Sequence, residues 1–431
     1  MLDKNLIRSL REKHLSPSLS LSYAEPLHII RGGGQYLYEA NGKQYLDAVN
    51  NIQHVGHCHP KVVEAAHSQY KRLNTNTRYL DEPIVNYAKA LTDKLPPGLD
   101  VCFFTNSGSE ANDLALRIAR HFTQSKETIV LDGAYHGNLS SLIEISPYKH
   151  GGPGGEGARN FVNTISMPDS YRGKYRGEES TIGYVQEVVE AIEKIHHKNK
   201  KVSAFITEAL MGCGGQLVLP EGFLEQSFEL VRNAGGLCIS DEVQIGFGRM
   251  GNHFWGFQTE DVIPDIVTMG KSMGNGHPLS AVVTTKKIAD NFNNGMEYFN
   301  SFGGNPVSCA VGQTVLDVIE EENLQDNALD VGTYLLDQLK VLKSKHEIIG
   351  DVRGRGLFIG VELMRDLESL TPATEEANTV VNQMKDSGIL ISSDGPDHNV
   401  LKIKPPIIFT RENADTLVVN LATIINELSK D

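Results

Sequence analysis

Four groups of residues in this chain have types and settings suited to chemistry on a single ligand. Lys271 lies in TMGKSMGNG, just after the apolar run DIVTM, and the small residues around it let a bulky ring come close. Asp241 ends another apolar run, thirty residues upstream, in ISDEVQIGFGR. Ser107, Gly108 and Ser109 make a small-residue turn ahead of a helical pattern, where free backbone amides and the positive end of the helix face an anion. Tyr135, in GAYHGN, offers a flat aromatic face. Each alone has a commonplace reading: a surface lysine at a strand end, an N-cap acid, an ordinary helix cap and a core aromatic. Together they supply what pyridoxal 5′-phosphate (PLP) needs. That is an amine for its aldehyde, an acid against its ring nitrogen, an anion site for its phosphate and a flat group against its ring.

These residues need elements to position them. Val101 to Phe104 is a short apolar run, after which Ala111, Leu114, Ala115, Ile118, Ala119 and Phe122 recur at helical spacing. Ser107 followed by Glu110 reads as a capping box that starts the helix at the serine–glycine turn. Strand-like runs then alternate with helix-length segments: ETIVLD, SAFITEA with Glu208, GLCISDE with Asp241, DIVTMGK with Lys271, and LSAVVTT. That alternation predicts an α/β fold with a mostly parallel sheet. The polar residues sit at the carboxyl ends of the runs, where open α/β sheets bind ligands. After Asn305-Pro306 the pattern changes to a long helical region reaching about residue 345. Then come VRGRGLFIGVEL, another helix, NVLKIKPP and a terminal helix. The expected division is a large PLP-binding domain over 51–306 and a small α+β domain over 307–431, which residues 1–50 join through the strand pair around GQYLYEANGKQYLDAV.

The 431 residues carry 54 acidic and 40 basic side chains, a net charge of −14 that argues against nucleic acid or an anionic membrane as partner. Cys58, Cys102, Cys213, Cys238 and Cys309 are scattered and read as reduced thiols. The stretch MLDKNLIRSLREKHLSPS mixes charge into every turn, unlike a signal peptide, and no later run is apolar enough to span a bilayer. The expected setting is the cytoplasm. The loop GGPGGEG reads as a surface excursion, since no strand and helix flank it as they would a phosphate cradle. His54, His57, Cys58 and His59 crowd into HVGHCHP, but no second ligand pair converges on them, and no metal is expected. Asp241 and Glu242 are adjacent on a strand and so face opposite sides, which excludes them as a hydrolytic acid pair.

The stretches NSGSEAND, AYHGN, SDEVQIGFGR, TMGKSMGNG and SFGGNP, in that order, resemble the class III, fold type I PLP enzymes, the group of ω-amino-acid and ornithine aminotransferases. The likeness runs from about Asn50 to Pro406. It implies a large seven-stranded domain and a small α+β domain built from both termini. It assigns Lys271 to the cofactor aldehyde, Asp241 to the ring nitrogen, Gly108 and Ser109, next to Ser107, to the phosphate, and Tyr135 to the ring face. Gln244 falls near the cofactor hydroxyl and Glu208 lines the pocket. Ser301 stands where the family has a threonine whose hydroxyl reaches the cofactor phosphate of the neighbouring subunit. That implies a homodimer, alone or paired into a tetramer. The histidine-rich stretch falls near the site entrance.

One departure concerns the substrate. Many of these enzymes place an arginine before a C-terminal Pro-Pro to grip a carboxylate, whereas LKIKPP has Lys402 at that place and Lys404 beside the prolines. A lysine is a compact point charge and lacks the planar fork of arginine. RYLDEPIVNYA, VLDGAYHGNLSSLIEISPYK, PDSYRGKYRG, GNGHP, TPATEEA and SSDGPDHNVLKIKPP resemble more closely the branch of phospho-lyases that act on ethanolamine phosphate or 5-phosphohydroxylysine. Tyr79, Lys402 and Lys404 are the candidate substrate contacts; the two lysines either supply charge for a substrate phosphate or merely line the surface. The expected activity is elimination of phosphate from a phospho-amine to give aldehyde, ammonia and phosphate. The alternative is transfer of an ω-amino group to a 2-oxo acid. A non-catalytic PLP-fold protein is disfavoured by the presence of both Lys271 and Asp241.

The protein as isolated is expected to be yellow, and Lys271→Ala is expected to lose both the visible absorbance and turnover. Normal turnover by that variant removes Lys271 from the chemistry.

Overall fold

The computed structural model describes residues 2–428. Its centre is a sheet of seven strands: β1 (Val101–Thr105), β2 (Glu127–Leu131), β3 (Val162–Ile165), β4 (Val202–Thr207), β5 (Leu237–Asp241), β6 (Ile266–Met269) and β7 (Ser280–Thr284). Their spatial order is β1-β7-β6-β5-β4-β2-β3. All neighbours run parallel except β7, which is antiparallel to both β6 and β1. Every residue of β2, β4, β5, β6 and β7 is buried, as expected of strands covered on both faces.

The helix Gly108–Thr123 lays Ala111, Leu114, Ala115, Ile118 and Ala119 against one face of this sheet. Its cap differs from the expected box. Ser107 Oγ accepts from the Glu110 amide at 3.2 Å, but the Glu110 carboxylate turns to the Asn106 amide (3.2 Å) and side chain (2.9 Å) and to Asn300 Nδ2 (2.9 Å). Three donors converging on one oxygen outcompete the single Ser107 amide.

Segments from both ends of the chain make the remaining layers. Ile29–Gly33, Tyr36–Glu39 and Gln44–Asp47 form antiparallel pairs, and Ile389–Leu390 joins them in parallel register with Leu46 and Asp47. Ile349–Arg355, Phe358–Asp366, Val400–Ile403 and Ser392–Asp394 form a second antiparallel sheet. The helical region after Pro306 is two helices, Pro306–Glu321 and Leu324–Lys343, separated at Asn323, whose φ of 52° is left-handed. No helix among the described residues is long and apolar enough to cross a membrane, and all five cysteines are free.

A buried cation fastens these layers to one another. Arg249 Nη1 donates to the carbonyls of Leu357 (2.9 Å) and Pro405 (2.7 Å), and Nη2 donates to His54 Nδ1 (3.3 Å). The guanidinium is fully buried with no carboxylate in contact among the described residues, and burial lowers its pKa to about 9. His54 Nε2 lies 2.6 Å from the Phe247 carbonyl, which can only accept. His54 is therefore the neutral tautomer that carries its proton on Nε2 and presents a lone pair to Arg249. Burial, then the neighbouring Arg249, lowers its pKa from 6.5 to about 3.

An unfolded chain takes up this proton first as pH falls. The contribution is complete above about 6.5 and is lost progressively towards about 3. Urea unfolding of the parent and His54→Gln at about pH 7 and about pH 4.5 should show the parent's advantage shrinking by roughly 2 kcal/mol at the lower pH. A pH-independent difference contradicts the assignment.

Candidate active site

The site opens at the carboxyl ends of β4, β5 and β6. Asp241, the last residue of β5, is buried and held from three directions. Its Oδ2 accepts from His136 Nδ1 and from Asn112 Nδ2, both at 2.8 Å, and its Oδ1 accepts from the Val243 amide at 3.1 Å. Asn112 also donates to the His136 carbonyl (2.7 Å) and accepts from Thr268 Oγ1 of β6 (2.6 Å). One asparagine thus ties the helix Gly108–Thr123, β6 and the loop after β2 around a single carboxylate.

Lys271 follows β6 across Gly270 and takes φ 35°, a left-handed conformation that non-glycine residues rarely adopt. Burial lowers the pKa of its ammonium against the opposing pull of Asp241, which favours a neutral, nucleophilic amine. Ahead of the helix Gly108–Thr123, the Gly108 and Ser109 amides have no acceptor among the described residues. Ser109 Oγ accepts from the Asn138 amide at 3.0 Å and pins the Tyr135 loop to this helix start. A Cβ on Gly108 would lie 2.8 Å from both Val243 methyl groups, so the turn packs at a separation only glycine permits.

Glu208, just past β4, accepts from the Gly212 amide (3.2 Å) and from Gln244 Nε2 (3.3 Å). Burial and then the nearby Asp241 raise its pKa. Gln244 Oε1 accepts from Asn51 Nδ2 (3.3 Å) and from Lys404 Nζ (3.2 Å). Lys404 is fully buried, with its ammonium 4.0 Å above the Phe358 ring and its pKa lowered by that burial. It does not line the surface. Lys402 Nζ is paired with Asp394 Oδ2 at 3.2 Å.

A cavity of about 310 Å³ joins Ser107, Gly108, Ser109, Tyr135, Asp241 and Lys271. Glu208 and Gln244 line it as well. Ser301 and Tyr79 are exposed and lie off this cavity within the one chain. The histidines of HVGHCHP diverge: His54 reaches Phe247, His57 reaches Asp47 at 2.6 Å, and His59 reaches Glu322 at 3.1 Å. Glu242 turns away from Asp241, accepting from the Gly256 and Phe257 amides at 2.7 and 3.0 Å.

Asn112, His136 and Thr268 are contacts that motif reading passed over. Asn112 carried one signal, a polar residue on the apolar face of its helix, and His136 stands beside Tyr135 in the same motif. The donor set fits PLP. Unpaired amides at the helix start would hold its phosphate, the carboxylate fixed at the end of β5 would meet its ring nitrogen, and the buried amine would meet its aldehyde.

Comparisons with known proteins place the chain in a family. The family model for "Aminotransferase class-III" matches residues 21–425. A Drosophila melanogaster protein named alanine–glyoxylate aminotransferase 2-like is 49% identical over 100% of this chain and 89% of its own length. Ethanolamine-phosphate phospho-lyase homolog 1 of Caenorhabditis elegans is 40% identical over 99% of this chain and 94% of its own. Among solved structures, a phospholyase from Arthrobacter in complex with phosphoethanolamine superposes with a TM-score of 0.93 at 41% identity, covering 97% of this chain and 99% of that one.

Asp241→Asn replaces the acid with a neutral amide and leaves the helix-start amides intact. The variant should still bind PLP, while kcat falls by about 100-fold or more. A kcat within a few-fold of the parent means Asp241 is not the ring partner.

Proposed function

This chain belongs to the class III aminotransferases and uses PLP, and from that premise we propose that it is a phospho-lyase acting on ethanolamine phosphate or 5-phosphohydroxylysine. The observation that carries the reading is the Lys402–Asp394 pair. At the place where related aminotransferases grip a carboxylate with an arginine fork, this chain has a lysine already engaged by an acid. The likeness to the Arthrobacter phospholyase and the C. elegans homologue supports the same reading. The name of the Drosophila relative keeps transamination as the second reading.

When bound, PLP supplies an electron sink for charge left on the carbon next to the substrate nitrogen. The residues of this chain do the rest. The Gly108 and Ser109 amides bind the cofactor phosphate, and Tyr135 covers the ring. Asp241, immobilised by His136 and Asn112, keeps a proton on the ring nitrogen. Gln244 meets the ring hydroxyl, and Glu208 orients Gln244. Lys271, its pKa lowered by burial, takes a proton from the substrate CH₂ beside nitrogen. A phosphate ester on the next carbon is then expelled as inorganic phosphate. Water completes the reaction, giving aldehyde and ammonia. No carboxylate is needed at the reacting end. Lys402, held by Asp394, and Lys404, buried against Gln244, are committed to protein partners. Ser301 and Tyr79, exposed beside Phe302 and Leu80, complete the partner subunit's site in a homodimer. The free cysteines suit a cytoplasmic setting.

The test supplies each phospho-amine without a keto acid. Release of phosphate, ammonia and aldehyde over many turnovers is the expected outcome. No phosphate from either compound, with ready amino transfer from an ω-amine to pyruvate or 2-oxoglutarate, establishes the transaminase instead.

A further inference from the structure

A phosphate dianion entering this site needs a cation that is not already neutralised. Lys271 lines the cavity, and Lys402, Lys404 and Lys149 each lie near a residue that does. Lys271 is committed to the chemistry. Lys402 is paired with Asp394 at 3.2 Å. Lys404 is fully buried behind Gln244 and already donates to its Oε1. Lys149 is different. It is exposed, and its ammonium has no hydrogen-bond or ion-pair partner among the described residues.

Its position is defined nonetheless. Lys149 belongs to the short helix Pro147–His150, whose Tyr148 amide donates to the Ala134 carbonyl at 3.2 Å and so ties it to the Tyr135 loop. The Lys149 ammonium rests 5.7 Å from the centre of the Tyr135 ring and 5.5 Å from that of Tyr148. The two rings meet edge to face at 6.0 Å. Tyr135 lines the main cavity and Lys149 a second one, so the Lys149 ammonium lies 5.7 Å from the centre of a ring that bounds the main cavity. Aromatic faces hold an ammonium weakly and leave its charge intact, and a long flexible stem can carry it to a stronger anion.

From this inventory of charge we propose that Lys149 binds the phosphate group of the substrate and sets the preference for phosphorylated over plain amines. The inference rests on the phospho-lyase reading for the identity of the anion. A charge-assisted contact of an ammonium with phosphate oxygen is worth about tenfold to a hundredfold in affinity. Because Lys149 takes no part in proton transfer at the reacting carbon, its loss should weaken binding and spare kcat.

The experiment uses PLP-loaded protein as parent, Lys149→Gln and Lys149→Arg. Binding is read as the change in cofactor absorbance on titration with ethanolamine phosphate, and with ethanolamine as control. Lys149→Gln should weaken ethanolamine phosphate by about tenfold or more, leave ethanolamine within about twofold, and raise KM with kcat little changed. Lys149→Arg should recover most of the loss. Equal affinity of parent and Lys149→Gln for ethanolamine phosphate overturns the proposal, as does equal weakening towards ethanolamine. The absorbance readout needs no turnover. A parent that binds the phospho-amine more tightly than ethanolamine but releases no phosphate therefore sinks the reaction assignment while Lys149 is still scored. A parent that shows no preference for the phospho-amine sinks both.

Discussion

The contact on which the site depends is the grip on Asp241. Its two carboxylate oxygens accept three hydrogen bonds, from His136, Asn112 and the Val243 amide, and each donor comes from a different segment. Those segments are themselves linked, because Asn112 also bonds Thr268 and the His136 carbonyl. In the proposed assignment this acid would set the place of the ring nitrogen. The helix start at Gly108 would take the phosphate, and it packs against Val243 at a separation only glycine permits. Lys271, the residue that would meet the aldehyde, holds a left-handed φ at the end of β6. Strain of that kind persists only where surrounding packing overdetermines the backbone.

A second constraint acts on the substrate side. Arg249 and His54 join the loop after β5, the segment ahead of Phe358 and the Pro405 turn into one buried unit. The Lys404 amide donates to the Ala48 carbonyl and the Ile407 amide to the His54 carbonyl, both at 2.8 Å. The LKIKPP stretch is thereby held against the segment 48–54, and Lys404 is delivered to Gln244. Because the Arg249 guanidinium is balanced by carbonyls and a neutral imidazole, the fit depends on geometry more than on charge pairing.

Much of this was legible in the sequence because parallel strands buried on both faces read as apolar runs, and their ends carry the polar chemistry. β4, β5 and β6 were therefore readable together with Glu208, Asp241 and Lys271. The supporting contacts were not, because they depend on tertiary neighbours. Nothing local to Glu110 indicates that its carboxylate meets Asn300, 190 residues away. Nothing local to Asn323 marks the left-handed break between two helices that share one apolar pattern. Lys404 has the composition of a surface residue, and only the fold reveals that its stem and ammonium are covered by the Phe358 ring and Gln244.

The role given to Asp241 is tested most directly at the atom it serves. The protein can be reconstituted with PLP labelled with nitrogen-15 in the ring, and the ring-nitrogen chemical shift recorded across neutral pH. The structure predicts a protonated pyridinium, shielded from solvent exchange by the His136–Asn112 grip on its acid. A shift typical of neutral pyridine in the parent protein would contradict the assignment of Asp241 and, with it, the placement of the cofactor in this site.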